Sequence, residues 1–362
     1  PAVATSIGAI AGAFEKGPVS SIVNISSEEE LVQIFGKPTT TGNQFETFFS
    51  ATNFLRYTNS LKVVRAESGL LNAGANSGIL IRDTDHYLDS FSTGQGSHGE
   101  WAARTAGTHG NSLRVEICPS ATAYEQDLST NNLVAGAGAV GDTTITVDDA
   151  DASGFAFNVG DLISFYSDTS NLVSIDEFNE YEVVSIASNV LTIRLKDDPN
   201  GAGLQNVIAD NSKIKRRWKY YDLFETPGTS DYNTSNGRGA GDELHVVVAD
   251  ADGKITGYDT DTAGNRTRAV IETFGFMSKN SSAKSPQGDS IYYPNVIFAK
   301  SLFIFWTDHI SAGSNWGTDV TAAYTAVTTT AIDTLTGGTD DYSTTAGEIE
   351  LAYDKFKDSE SE

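Results

Sequence analysis

Short apolar runs separated by turn residues open the chain. Residues 7–14 and 19–25 are apolar with small residues interspersed, and Lys16-Gly17-Pro18 lies between them as a turn. Residues 61–66 form another apolar run. Runs of this length bounded by Gly, Pro and Ser predict three β-strands in the first 66 residues.

Two amphipathic helices are predicted between the second and third of these strands. Ser27 and Glu30 have the spacing of a capping box. The helix that they start carries apolar residues at helical spacing and ends at Gly36, with Pro38 just beyond. Residues 45–55 repeat the helical spacing with Phe45, Phe48, Phe49 and Leu55, which predicts the second helix.

Residues 129–212, called here the acidic segment, differ in character from the rest. The segment alternates apolar and polar positions in short runs with turns every 8–12 residues: 143–147, 161–165, 181–186 and 190–195. This pattern is typical of a small β-barrel or sandwich. The segment holds 13 acids and two bases, so it carries −11 of the chain's −24 charge. We interpret it as an inserted, solvent-facing domain.

The remaining pattern is also rich in β-structure. Asp252-Gly253 predicts a hairpin turn between strands 244–249 and 254–257. Residues 303–306 read as a buried strand, and 348–356 as an amphipathic helix. The predicted fold class is therefore α+β, β-rich and multidomain, with a mixed α/β core, a β-sandwich-like middle domain and an inserted small β-barrel.

Composition narrows the possible partners. A net charge of −24 argues against nucleic acid and anionic membrane surfaces as partners, and it also keeps a β-rich protein soluble. Cys118 is the only cysteine, which excludes an internal disulfide, and it lies in a predicted strand as a small core residue. No apolar stretch is long enough to span a membrane, and the first residues do not read as a signal peptide.

Three patterns that carry chemistry elsewhere fail in context. Residues 94–99 match a dinucleotide fingerprint, but neither the strand before it nor the helix after it is predicted. Asp250-Ala251-Asp252-Gly253 resembles a calcium loop, with Asp259 and Asp261 nearby, but the glycine comes too early and no closing glutamate follows in register. The five histidines lack metal-ligand spacing, and no nucleophile elbow accompanies them. The sequence therefore predicts no enzyme, no catalytic, cofactor-binding or metal-binding residues, and no cofactor.

One basic run stands out against the acidic background. It comprises Lys213, Lys215, Arg216, Arg217 and Lys219, and it includes Trp218. Nucleic-acid binding is one interpretation of a basic run with an aromatic residue. The alternatives are that the run lies partly exposed against the acidic segment, or that it contacts a neighbouring subunit.

The order of several motifs resembles the contractile tail sheath proteins of myophages. The first 66 residues contain the series A-x-x-G-x-F-x-x-GP, S-x-x-x-L-V-x-x-FG-x-P and A-x-NFLxY-x-N-x-L-x-VVRA. Further along come GTHGNSLRV (107–115), DELHVVV with DGKITG (242–257), Tyr292-Tyr293, SLFIFW (301–306) and LTGG (335–338) with the final helix. In this family the outward insertion is expected after the VVRA strand. Here the acidic segment follows the GNSLRV strand, so its fold and role are not fixed by the resemblance.

The resemblance implies an organisation and a function. It implies a discontinuous sheath core (1–66 plus 299–362), a middle β-rich domain (67–128 plus 213–298) and the outward-facing acidic segment (129–212). The chain would be a fragment lacking an N-terminal arm and a C-terminal domain. The family implies a homo-oligomeric lattice of helically stacked rings, with tail tube, baseplate and tail terminator proteins as partners. The lattice contracts to drive the tube through a host envelope. The implied location is the virion tail, assembled in the host cytoplasm.

Two alternatives remain at this stage. The sheath of a bacterial contractile injection system shares the same core. A β-rich adhesin or receptor-binding module would suit the acidic segment, but not the first 66 residues.

Overall fold

The computed structural model describes residues 7–94, 96–128, 132–168, 173–196, 198, 200–257 and 269–357. The strands in these ranges are β1 (Gly8–Gly12), β2 (Ile22–Ile25), β3 (Leu61–Arg65), β4 (Trp101–Ala103), β5 (Leu113–Cys118), β6 (Glu125–Asp127), β7 (Thr144–Thr146), β8 (Leu162–Asp168), β9 (Val173–Ser174), β10 (Tyr181–Ala187), β11 (Val190–Leu195), β12 (Lys213–Arg217), β13 (Glu243–Asp250), β14 (Ala269–Ser278), β15 (Ile304–Trp306) and β16 (Ala331–Thr334). The α-helices are α1 (Glu28–Phe35), α2 (Gln44–Leu55), α3 (Thr84–Ser90), α4 (Ala121–Tyr124), α5 (Asp231–Ser235), α6 (Tyr293–Lys300) and α7 (Ala346–Asp354). Thr108–Ser112 and Tyr221–Leu223 are short 3-10 helices.

The chain forms two compact units. Unit 1 contains the described parts of residues 1–113, 301–309 and 334–362, and unit 2 contains those of 114–300 and 310–333. The α+β, β-rich class predicted from the sequence is confirmed. The division into three domains stays a prediction.

Unit 1 is built around the strands and helices predicted at its start. In its sheet β3 lies between β1, which runs parallel to it, and β2, which runs antiparallel. α1 and α2 bury apolar side chains in one cluster with this sheet; its buried members include Phe14, Leu31, Phe35, Phe48 and Val63. The side chain of Ser27 accepts a hydrogen bond from the Glu30 N–H (3.2 Å), which confirms it as the cap of α1. The Glu30 carboxylate reaches one residue further back than a capping box requires, to the N–H of Ser26 (2.8 Å).

Arg65 at the end of β3 is fully buried in unit 1. Its guanidinium donates to the carbonyl oxygens of Ala106 (2.9 Å), Gly17 (3.1 Å) and Glu15 (3.2 Å). Burial lowers the pKa of Arg65 to about 10. The arginine of the VVRA motif is thus a structural group that ties the predicted turn at residues 16–18 and a distant loop to the central strand.

Unit 2 contains a seven-stranded sheet that joins the acidic segment to its flanking strands. The strand order is β6-β12-β8-β10-β11-β7, and β9 pairs with β8. This path has two free ends, so the described strands form no closed barrel, contrary to the small barrel predicted. A barrel needs its first and last strands to meet, whereas β6 and β7 lie at opposite ends. One face of the sheet covers an apolar core that includes Phe165, Tyr181, Val183 and Ile214.

The second sheet of unit 2 corrects one hairpin prediction. β13 pairs antiparallel with β14, which begins at Ala269, and not with residues 254–257. Residues 251–256 are turns and bends, because the Asp250 carboxylate accepts from the N–H groups of Gly253, Ile255 and Thr256. These side chain–backbone bonds compete with strand pairing.

Candidate interaction surface

Strand β12 divides the basic run between two faces of the seven-stranded sheet. Successive side chains of a strand point to opposite faces. Ile214 and Arg216 are buried, whereas Lys213, Lys215 and Arg217 are half-buried on the other face. The run is therefore one buried arginine and a row of accessible cations.

A row of alternating charge crosses the outer face of the sheet. The strand registers place Glu125 opposite Arg217, Arg217 opposite Leu162, Leu162 opposite Glu182, and Glu182 opposite Arg194. Leu162 is buried beneath its charged neighbours. We call the following eight side chains the charged face: Glu125, Glu180, Glu182, Arg194, Lys196, Lys215, Arg217 and Lys219.

Each carboxylate of the charged face binds at least two cations. Glu182 contacts Lys219 Nζ and Arg194 Nη2, both at 2.6 Å. Glu125 contacts Arg217 Nε at 2.5 Å and Lys215 Nζ at 2.8 Å. Glu180 contacts Arg217 Nη1 at 3.0 Å and Lys196 Nζ at 3.2 Å. Arg217 thereby links β6 to the start of β10.

The aromatic ring of Tyr221 contacts two of these cations. Lys196 Nζ lies 4.8 Å and the Arg217 guanidinium 4.9 Å from the centre of its ring, which is cation–π range. The Tyr221 hydroxyl donates to Glu180 (3.1 Å). The ring therefore fixes where Lys196 and Arg217 present their charge.

Mutual pairing keeps the charged face ionised. Burial alone would raise the pKa of Glu182 and of Glu125, but their paired cations outweigh burial and lower both pKa values. Burial likewise opposes the charge of Lys196 and Arg217, and their glutamate partners outweigh it and raise both pKa values. These four groups thus stay charged across neutral pH.

Arg216 is not an exposed member of the basic run, which corrects that expectation. It lies in phase with Ile214, so it points inward, and only 1% of it is exposed. Its guanidinium donates to Gln126 Oε1 (2.8 Å) and to the carbonyl oxygens of Thr122 (3.2 Å) and Thr328 (2.6 Å). A further bond goes to the Ala156 carbonyl. Its contacts are structural, so it is not available to a partner.

The buried carboxyl of Asp161 lies beside Arg216, 4.0 Å from Nε. Burial raises its pKa to about 6, although Arg216 and the N–H of Asn158 (2.7 Å) both favour the ionised form. In the unfolded chain this carboxyl releases its proton near pH 3.8. Between these values the folded state holds a proton that the unfolded state has lost, so stability falls as pH rises.

We expect Asp161→Asn to remove this pH dependence. The stability of the native protein should fall relative to the variant by about 1–3 kcal/mol between pH 4 and pH 6. Urea unfolding at intervals of half a pH unit measures the difference. Asp151→Asn removes an exposed carboxyl of the same segment and is the control. A native–variant difference that is constant over this range would contradict the prediction.

The remaining chemical candidates have structural roles or lie outside the described residues. The Asp250 carboxylate accepts hydrogen bonds from three backbone N–H groups and from the Thr256 hydroxyl (2.7 Å). Asp252 forms an ion pair with Lys254 (2.8 Å). Asp259 and Asp261 lie outside the described residues. In the part of the chain that the structure describes, no group of three or more His, Cys, Asp or Glu is placed to hold a metal ion.

The described residues around the glycine-rich stretch 94–99 are turns and bends that follow helix α3. His245 is held in one tautomer: the Phe276 N–H donates to Nδ1 (3.0 Å), so Nε2 donates to the Glu225 carbonyl (2.8 Å). Cys118 is buried, and burial raises the pKa of its thiol, which makes it unreactive. Across the described helices, none combines the length and the apolar character needed to cross a bilayer.

Two phage proteins share stretches of this sequence. A tail sheath protein of Vibrio phage KVP40 is 45% identical over 95 residues, which cover 22% of this chain and 14% of that protein. The tail sheath protein of Enterobacteria phage T4 is 45% identical over 62 residues, which cover 17% of this chain and 9% of that protein. These matches confirm the resemblance to tail sheath proteins.

The matches span only a small part of those relatives, and no protein-family profile matches the chain. A sheath tail protein from Listeria innocua aligns structurally over 56% of this chain and 33% of its own, at 15% identity and a TM-score of 0.17. That superposition is too loose to support a structural argument.

Proposed function

We propose, from the match to phage tail sheath proteins, that this chain is a structural subunit of a contractile tail sheath. Two matches at 45% identity to such proteins carry the proposal. In this proposed function, many copies of the chain polymerise around the tail tube as stacked rings. The rings contract to drive the tube through the host envelope. The partners are other copies, tube, baseplate and terminator proteins, in a virion tail assembled in the host cytoplasm.

Such a function requires no bond chemistry. A sheath works through small differences in contact free energy between two packings, added over the whole lattice. What it requires of each subunit is a stiff body and surfaces that select neighbours. Within each compact unit a buried arginine ties loops to a strand, and we propose that the acidic segment faces outward.

Expression of the complete reading frame that encodes this chain tests the proposal. We expect tubes with regular cross-striations by negative-stain electron microscopy, because a sheath subunit has neighbours along and around the tube. Circular dichroism of the same preparation controls for folding. A folded protein that yields only discrete particles at all concentrations would favour the adhesin alternative and overturn the proposal.

A further inference from the structure

The charged face contains more cations than carboxylates. Its three glutamates and five basic side chains leave two positive charges in excess, in a chain whose net charge is −24. Glu180, Glu182 and Lys215 are the more deeply placed groups, at 14–15% side-chain exposure. Four cations lie further out, at 24–30%, with Glu125 as the one carboxylate beside them, at 33%: Lys196, Lys219, Arg194 and Arg217. The surface that a partner meets is therefore cationic.

One edge of the same sheet is acidic. Strand β7 ends the path of strands, and the exposed carboxylates of Asp142, Asp148, Asp149 and Asp151 flank it. We call these four residues the acidic turns. No lysine or arginine lies between residues 132 and 168, so no base from this stretch neutralises them.

We infer that the charged face of one copy binds the acidic turns of a second copy. This inference rests on the proposed function, which requires contacts between identical chains, and it adds which surfaces meet. Lysine and arginine that are already held in place lose little side-chain entropy when carboxylates approach them. Their donors are not exhausted by the glutamates, since a lysine has three and an arginine five.

The inferred contact joins two different surfaces of the same chain. Two copies can make it reciprocally about a two-fold axis, with each charged face against the other copy's acidic turns, or they can make it head-to-tail. A head-to-tail contact propagates into rings or helical arrays, whereas a two-fold contact stops at a dimer. The proposed lattice requires the head-to-tail form.

A charge-swap experiment on the 362-residue chain tests the contact. The face-reversed variant carries Lys196→Glu and Lys219→Glu, and the turn-reversed variant carries Asp148→Lys and Asp151→Lys. Self-association is measured by sedimentation equilibrium near 0.1 M salt, where the Debye length of about 10 Å screens whole-molecule repulsion but not contact pairs. We expect each variant alone to associate at least about tenfold more weakly than the native chain. An equimolar mixture of the two should recover native affinity, because between unlike variants the reversed face meets the reversed turns and the native face meets the native turns.

The variants also separate this contact from an effect of net charge. The turn-reversed chain is less negative than the native one, so net charge alone would strengthen its association. Lys254→Glu with Lys284→Glu matches the charge change of the face-reversed variant at positions outside the seven-stranded sheet, and it should associate like the native chain. Thermal melts of each variant monitor folding. If charge reversal impairs folding, the neutral pair Lys196→Gln with Lys219→Gln replaces the face-reversed variant, and it should also associate more weakly than the native chain.

Any of three results would overturn the inference. The native chain does not self-associate, the face-reversed variant self-associates as the native chain does, or the mixture of the two variants does not recover native affinity. Binding of heparin or single-stranded DNA that depends on Lys196 and Lys219, with self-association unaffected, would assign the face to a polyanion instead. Striated tubes from the complete reading frame together with unaffected variants would leave the proposed function standing and remove only this contact.

Discussion

Replacing Arg216 with methionine is expected to destabilise unit 2 by about 3–5 kcal/mol. Methionine fills much of the space but leaves three carbonyl oxygens and Gln126 without their donor, and it leaves Asp161 without the adjacent positive charge. Unsatisfied buried acceptors carry the full cost of their desolvation. Urea unfolding followed by hydrogen exchange of peptides from β8 and β12 measures the loss in this unit.

Lys213→Met is the matched control for this change. It removes a cation from the same strand but from the half-buried face, so we expect a change within about 0.5 kcal/mol. Equal losses for the two variants would mean that the strand tolerates no substitution. If Arg216→Met were as stable as the native protein, Arg216 would be dispensable in the core, as some buried ionic groups are.

Arg65→Met is expected to have a comparable effect in unit 1, about 2–4 kcal/mol. The arginine joins the carbonyl oxygens of Glu15, Gly17 and Ala106 to the end of β3. We expect faster hydrogen exchange in β1 and in the turn that follows it, with unit 2 unaffected. Exchange is measured in peptides of each unit separately, because local stability varies across a structure.

The control in the same strand is Lys62→Met, at a half-buried position of β3. It should leave exchange in β1 close to native. Protection that is lost equally in both variants would assign the effect to strand propensity instead of to the guanidinium. Arg65→Lys completes the series, since one ammonium lacks the planar fork that reaches three acceptors; it should recover only part of the loss.

Local rules predicted local structure well in this protein. The cap at Ser27 and the end of α1 at Phe35 both follow from residues within four positions of each other. The inward direction of Arg216 is also predictable from the sequence. It occupies the same phase of a period-two strand as Ile214, a signal that the charges of the run do not show.

Features that depend on long-range register could not be predicted. Glu125, Glu180 and Glu182 come from two separate parts of the chain, and nothing in their local sequence shows that they face the basic run. The hairpin at Asp252-Gly253 failed for the same reason. The partner of β13 begins at Ala269, and the choice between near and far partners is made by packing, not by a turn dipeptide.

The pairing of β12 with β8 has a mechanical consequence. Five consecutive residue pairs, from Lys213–Tyr166 to Arg217–Leu162, join a flanking strand to a strand of the acidic segment. Antiparallel backbone bonds lie across the strand direction, so a pull along β8 strains all of them together instead of one after another. Loaded in this shear direction, the junction transmits force as a stiff lever arm would. A force applied to the loops of the acidic segment is then transmitted to residues 213–217 and displaces the sheet, because the junction itself bends little.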